Sequence, residues 1–184
     1  MTLVLHPCRK ERKGAPMQKW IISVIGEDYP GITENLAQIL QDNGANWLDA
    51  SLRRLGDRYA GIIELELPEA NAQALRRQLA ELPRLSIELQ RVAVKTQPSL
   101  QFQVEVIGND RPGIVAAVTR ILTSNQANIE QLESDLDTAN HTGVPLFRLN
   151  ILLAAADEAS LDRIEQELFS LGDDLMVEYE RITN

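Results

Sequence analysis

A single cysteine, Cys8, and two histidines, His6 and His141, leave this chain little thiol or metal chemistry. One cysteine cannot close an internal disulfide, which suits a reducing compartment such as the cytoplasm. Two histidines cannot supply a His-rich metal site, and Cys8 with a remote histidine reads as a passenger rather than a catalytic pair. No metal, no cofactor and no catalytic residue is therefore expected. Aromatic residues make up only 4% of the chain. No apolar run approaches the ~18 residues of a membrane span, so no membrane partner is expected. Basic side chains are scarce where the chain is longest. Residues 98–184 carry five against fifteen acidic ones, residues 17–97 nine against eleven, and residues 1–16 four against one, within a net charge of −9. So acidic a surface repels phosphate backbones, which excludes direct nucleic-acid binding and routes any effect on DNA through another protein. The acidic half otherwise reads as a solvated surface.

What the chain does have is a repeat. "VIGEDYPGI" begins at Val24 and "VIGNDRPGI" at Val106, and they differ only at Glu27 against Asn109 and Tyr29 against Arg111. Before each, apolar residues alternate: Trp20, Ile22 and Val24, then Phe102, Val104 and Val106. A period of two marks a strand with one buried face. After each, the period becomes helical: Ile32, Leu36, Ile39 and Leu40, then Ile114, Val118, Ile121 and Leu122. All correspond at an offset of 82. Pro30 and Pro112 are expected at the first helical position, where the missing N–H costs nothing. Gly44 is expected to close the first helix in a left-handed conformation. Its counterpart Gln126 suits that conformation less well, which leaves Asn125 or Asn128 as alternative caps.

Strands follow at 46–55, with Leu48, Ala50 and Leu52 alternating, and at 128–137, with Leu132 and Leu136 among acids. The next strands carry Ile63, Leu65 and Leu67, matched with Phe147, Leu149 and Ile151 at an offset of 84. That match predicts a second hairpin about two residues longer than the first, turning within "TANHTGVP" where the first turns near Gly56-Asp57. Ala72, Leu75, Leu79 and Leu82 share helical spacing with Leu161, Ile164, Leu168 and Leu171, and Pro83 and Gly172 end these helices. Leu85, Ile87 and Leu89, then Leu175, Val177 and Tyr179, make a last strand in each half. The reading is α+β: two tandem ferredoxin-like βαββαβ modules, each an antiparallel sheet with helices on one face. Residues 1–16 form a basic lead expected to be disordered, with Met17 a candidate natural start. The modules are placed at 17–95 and 100–184, with a linker at 96–99.

The repeated turn has chemistry of its own. Gly26 and Gly108 are expected just after a strand, and Pro30-Gly31 and Pro112-Gly113 at a helix start. Glycine lets the backbone approach a ligand closely. A helix start offers unpaired N–H groups and the positive end of the dipole, which suit a carboxylate. Asp28 and Asp110, one residue before the expected cap, suit an ammonium group. Together these describe a site for a free amino acid, built from Gly26, Asp28, Pro30, Gly31 and Ile32 in the first half. The second half offers Gly108, Asn109, Asp110, Pro112, Gly113 and Ile114. Asn46 and Asn128, at the start of the second strands, are expected to complete the two sites. Any tight strand-to-helix connection also favours Gly, Asp and Pro, so the duplication is read more firmly than the binding.

Both halves resemble the ACT domain, a small regulatory module that commonly binds amino acids. The resemblance is carried by Gly26-Glu27-Asp28-Tyr29-Pro30-Gly31-Ile32, by Gly108-Asn109-Asp110-Arg111-Pro112-Gly113-Ile114, and by the "NGAN" and "NQAN" after each first helix. Two such modules with little else resemble the glycine cleavage system transcriptional repressor family. That resemblance implies a non-enzymatic sensor of a small amino acid such as glycine, acting through a LysR-type activator as protein partner. The alternative is a regulatory subunit that docks on an amino-acid biosynthetic enzyme. An unpaired sheet edge in each module is compatible with a homodimer. Two rivals share the strand order. An acylphosphatase needs an anion-gripping loop with arginine after the first strand, where this chain has Glu27 and Asp28. An RNA-recognition motif needs exposed stacking aromatics on a basic sheet, where Trp20 and Phe102 are expected to face the helices. Acidic pairs such as Asp173-Asp174 and Glu178-Glu180 are expected to face water.

Overall fold

The computed structural model describes residues 16–92, 100–138, 145–155, 157–172 and 175–182. The expectations for residues 1–15 of the basic lead, the 96–99 linker, Cys8, the histidines, most of the second hairpin loop and Asp173-Asp174 lie outside the described residues. The chain divides into two compact units, Met1–Lys95 and Thr96–Asn184.

The first unit runs β1 (Met17–Glu27), α1 (Ile32–Asp42), β2 (Asn46–Leu55), β3 (Arg58–Pro68), a 3-10 turn (Glu69–Asn71), α2 (Ala72–Ala80) and β4 (Leu85–Arg91). The second runs β5 (Leu100–Asn109), α3 (Ile114–Ser124), β6 (Asn128–Thr138), β7 (Pro145–Ala155), α4 (Glu158–Phe169) and β8 (Leu175–Ile182). The sheets have strand orders β2-β3-β1-β4 and β6-β7-β5-β8, and every pairing is antiparallel. This is the βαββαβ order that the alternation and the helical stripes predict.

Each unit has its own core. Trp20, Ile22, Val24, Ile32, Leu36 and Leu40 pack with Ile63, Leu65, Leu67, Leu75 and Leu79 in the first. Phe102, Val104, Val106, Ile114, Val118 and Leu122 pack with Leu149, Ile151, Leu153, Ile164 and Leu168 in the second. Parity explains this directly: the odd-even choice that buries Ile22 leaves Ile25 57% exposed on the outer sheet face.

Four local expectations are corrected. β3 and β7 correspond at 88, not 84. Trp20 pairs with Leu65 and Phe102 with Leu153, so Tyr59 matches Phe147 and Ile63 matches Ile151. Against the offset of 82 for the first strands, the second hairpin is longer by six residues. In β2 a bulge between Trp47 and Asp49 puts Leu48 out of the alternation, leaving it 39% exposed while Trp47 packs on the core. β6 carries the same bulge between Ile129 and Gln131. The second pair of helices ends at Ala80 and Phe169, short of Pro83 and Gly172.

The fourth correction concerns Gln126. Gly44 is left-handed as expected, at φ 69°, and Gln126 adopts the same conformation at φ 60° instead of passing the role on. Asn43 and Asn125 occupy the preceding cap position, both 8% exposed, and each ties its first helix to its second. Asn43 Nδ2 donates to Ile39 O at 2.8 Å and to Gln78 Oε1 at 2.6 Å. Asn125 Nδ2 donates to Ile121 O at 3.0 Å and to Glu167 Oε1 at 3.3 Å, while Arg163 Nε donates to Asn125 Oδ1 at 3.3 Å. Buried amides are stable only when paired in this way.

Candidate functional site

The repeated corner is built from the end of β1 and the start of α1. Gly26 lies inside β1 rather than after it, flanked by Tyr59 of β3 and Leu85 of β4. A Cβ there would sit 2.1 Å from the Arg84 carbonyl oxygen, so β4 can approach only a glycine. Gly108 holds the matching position between Phe147 and Leu175. The chain then leaves the sheet, tied to the hairpin opposite. Asp28 N–H donates to Asp57 O at 2.9 Å, and Asp110 N–H to Pro145 O at 3.1 Å.

The helices begin later than the prolines suggest. Ile32 and Ile114 are the first helical residues, Gly31 and Gly113 are the caps, and Pro30 and Pro112 stand in the turn before them. The caps have φ values of 92° and 95°, where a side chain is strained, and this overrides a proline start. It also puts Asp28 and Asp110 three residues before the cap, not one. The first intrahelical bonds run from Asn35 N–H to Gly31 O and from Ala117 N–H to Gly113 O, both 2.9 Å. No side chain caps either helix. The three amides at 32–34, and those at 114–116, therefore precede the helical ladder and face the corner as donors. A Cβ built on Gly31 or Gly113 would meet nothing within 4 Å, so no protein atom packs against that side of either cap. Ile32 and Ile114 are 2% and 3% exposed, so their side chains anchor the helix and only their backbone can face a ligand.

The two corners differ in electrostatics. In the first, Asp28 Oδ2 lies 3.1 Å from Arg54 Nε and Glu27 Oε2 lies 3.7 Å from Arg84 Nη1. Thr33 Oγ1 and the Tyr59 hydroxyl share a hydrogen bond of 2.9 Å, and the Tyr29 hydroxyl is buried without a protein partner. In the second, the register puts Leu136 opposite Phe147 where Arg54 stands opposite Tyr59. Asp110 has no ion-pair partner among the described residues, and Asn109 replaces Glu27.

Asn46 and Asn128 do not join these corners. Asn46 pairs with Glu66, which pairs with Lys19 on β1, seven residues from Gly26. Asn128 pairs with Ala154, opposite Gln101, again seven residues from Gly108. At 3.3 Å per residue that is about 23 Å, the far end of the sheet. α1 and α3 carry the chain back along the sheet, so β2 and β6 start where β1 and β5 start. The asparagines of "NGAN" and "NQAN" with a clear structural role are the first ones, Asn43 and Asn125.

Comparison with known proteins agrees with this fold. Residues 18–92 and 102–173 each match the ACT domain family. Over 76 residues, 41% of this chain and 78% of the relative, the sequence is 33% identical to a UPF0237 protein of Methanopyrus kandleri. A crystal structure of an unknown protein from Galdieria sulphuraria superposes with a TM-score of 0.78 at 25% identity, covering 91% of this chain and 100% of the other. A candidate glycine cleavage system transcriptional repressor superposes with a TM-score of 0.62 at 18% identity, covering 91% and 99%. Two matched segments, two βαββαβ sheets and two glycine-capped corners lead to one conclusion: the chain belongs to the ACT domain family and carries two such domains in tandem.

Proposed function

We propose that the chain is a non-enzymatic sensor of a small free amino acid, and that the second corner is the principal site. The observation that carries this is the pair of uncapped, glycine-opened helix starts. The amides at 114–116 receive the carboxylate, and Asp110 receives the ammonium group. Gly108, Asn109, Pro112, Gly113 and Ile114 shape the corner around them. In the first domain Gly26, Asp28, Pro30, Gly31 and Ile32 form the same frame, but Arg54 already holds the carboxylate of Asp28. A cation in that position competes with a ligand's ammonium group, which leaves the first corner the weaker site.

The fold shared with a candidate glycine cleavage system transcriptional repressor supports a finer reading. Glycine is the ligand, and the chain acts as a co-repressor through a DNA-binding partner, a LysR-type activator. The charge of −9 supports action through a protein rather than on DNA itself. Ligand binding alters partner affinity by linkage, so the partner must alter ligand affinity by the same factor.

The test is unfolding of the full chain in the presence of single free amino acids. A ligand at 100 times its Kd should stabilise by about 2.7 kcal/mol. Asp110→Asn should remove that stabilisation, whereas Asp28→Asn should leave most of it. If no amino acid shifts the transition at millimolar concentration, the sensor reading fails. Proteins captured with and without the stabilising amino acid then separate the partners: a DNA-binding protein supports the co-repressor, a biosynthetic enzyme replaces it.

A further inference from the structure

Each domain has a second concavity, between its second helix and last strand, and the two domains fill it differently. In the first, Trp20 is 3% exposed and the Arg76 guanidinium carbon lies over its ring, 5.4 Å from the centroid. Arg76 Nη2 also donates to Leu89 O of β4 at 3.0 Å, which fixes the guanidinium there. The hollow beside it, of about 340 Å³, is lined by Arg76, Leu79, Ile87, Glu88 and Leu89 and does not reach the indole.

The repeat gives the matching residues of the second domain. Phe102 takes the place of Trp20, Glu165 that of Arg76, and Tyr179 that of Leu89. Here a cleft of about 280 Å³ reaches the ring, and Phe102 is nearly as buried as Trp20, at 4% exposed. Phe102, Val104, Ile164, Leu168 and Val177 line it with apolar surface, and Asp162 and Glu165 stand among its polar lining. One ion pair is common to both domains: Glu69 with Arg91 at 3.5 Å, and Glu158 with Arg181 at 2.6 Å. Setting that pair aside, the cleft keeps two carboxylates. Glu165 accepts a hydrogen bond from the Tyr179 hydroxyl, and Asp162 has no ion-pair partner among the described residues. The cleft is distinct from the corner at Gly113. Phe102 precedes Gly108 by six residues of β5, about 20 Å along the strand.

We propose that this cleft binds a small organic cation with a flat or apolar body, a guanidinium or amidinium compound, its body against Phe102 and its charge toward Asp162 and Glu165. Such a ligand brings to the cleft the positive charge that Arg76 brings to the first domain. Charge-assisted hydrogen bonds and an apolar floor favour it. The two carboxylates disfavour an anion.

Benzamidine is the probe, titrated into the full chain by calorimetry, with benzamide and benzoate as neutral and anionic analogues of the same shape. Benzamidine should saturate one site and benzoate should not bind. Asp162→Asn and Glu165→Gln, both surface changes, should each weaken benzamidine by about threefold, the effect of one exposed charge. Phe102→Trp combined with Glu165→Arg installs the first domain's filling and should abolish binding. Glu165→Arg alone should greatly weaken it, which keeps the test informative if the double variant does not fold. None of these changes should alter stabilisation by amino acids. Equal binding of benzamidine and benzamide overturns the proposal. So does benzamidine binding that survives Glu165→Arg, or no benzamidine binding at millimolar concentration.

Discussion

Replacing Gln126 by glycine should stabilise the second domain. Both first helices end with the same two backbone bonds. Gly44 N–H donates to Gln41 O at 2.9 Å and Ala45 N–H to Leu40 O at 3.0 Å. Gln126 N–H donates to Thr123 O and Ala127 N–H to Leu122 O, both at 3.0 Å. This is the Schellman arrangement, and it needs a left-handed residue at one position. Glycine meets the need at φ 69° in one domain, and glutamine is forced into it at φ 60° in the other. A side chain in that region costs about 1–2 kcal/mol. Glycine's extra freedom in the unfolded chain takes back about 0.4–1 kcal/mol. The exposed Gln126 side chain contributes no packing to offset this. The net gain is about 0.5–1 kcal/mol, or about 2–8 °C for a domain of this size. Denaturant unfolding should show a higher midpoint at unchanged slope. Gly44→Ala is the mirror experiment. Its new Cβ would lie 3.8 Å from Asn71 Nδ2, an ordinary contact, so its loss reports the backbone alone. A lower midpoint for Gln126→Gly, or none of the expected loss for Gly44→Ala, would refute the reasoning.

Gly26→Ala should cost at least about 2 kcal/mol, because its methyl meets a backbone oxygen that moves only if β4 leaves β1. Gly31→Ala, with open space around it, should cost about 1 kcal/mol from backbone strain alone; equilibrium unfolding of the two variants checks the order. Asp157 caps α4 by accepting from Ser160 N–H at 2.7 Å, and hydrogen bonding from the Ser160 side chain, then from that N–H, holds its carboxyl below the ordinary 3.8, with the Arg163 charge adding to it. The group binds its proton less tightly folded than unfolded. Its contribution is therefore present above the ordinary value and lost as pH falls through the folded one. Melting temperature followed from pH 6 to pH 2 should fall less steeply for Asp157→Asn than for the parent chain.

Periodicity made the sheets and helices legible because burial on one face imposes it: every residue from Trp20 to Val24 falls on the face its parity predicts. The same periodicity cannot see an even slip. Moving β7 by four residues keeps Leu149 and Ile151 on the buried face, so offsets of 84 and 88 read alike. Only the pairing of Trp20 with Leu65 and Phe102 with Leu153 decides between them. Bulges hide for a related reason. Leu48 looks like part of an alternation until an extra residue shifts its neighbours. At the site, Gly31, Gly113 and the acids before them were legible from the turn motif. Asn46 and Asn128 lie near the turn in the motif but not in space. A helix of 11 residues separates the two ends of that motif by the length of the sheet.

The charge imbalance between the halves has a structural reading. Residues 17–97 carry nine basic side chains and residues 98–184 five. Two of the first domain's arginines occupy places that the second domain leaves open. Arg54 neutralises Asp28 where Leu136 leaves Asp110 without such a partner. Arg76 covers Trp20 where an acid, Glu165, lines the cleft at Phe102. An arginine delivered by the chain itself costs no association entropy, so it outcompetes a dissolved cation at the same place. Losing it exchanges a permanent internal partner for a replaceable external one. After a duplication, that exchange is a short route from a domain that only holds its fold to one that answers to its surroundings. On the proposed reading the acidic second domain would do the sensing, and the first, with Glu27, Asp28 and Trp20 already partnered, serves as the structural counterpart against which it can be read.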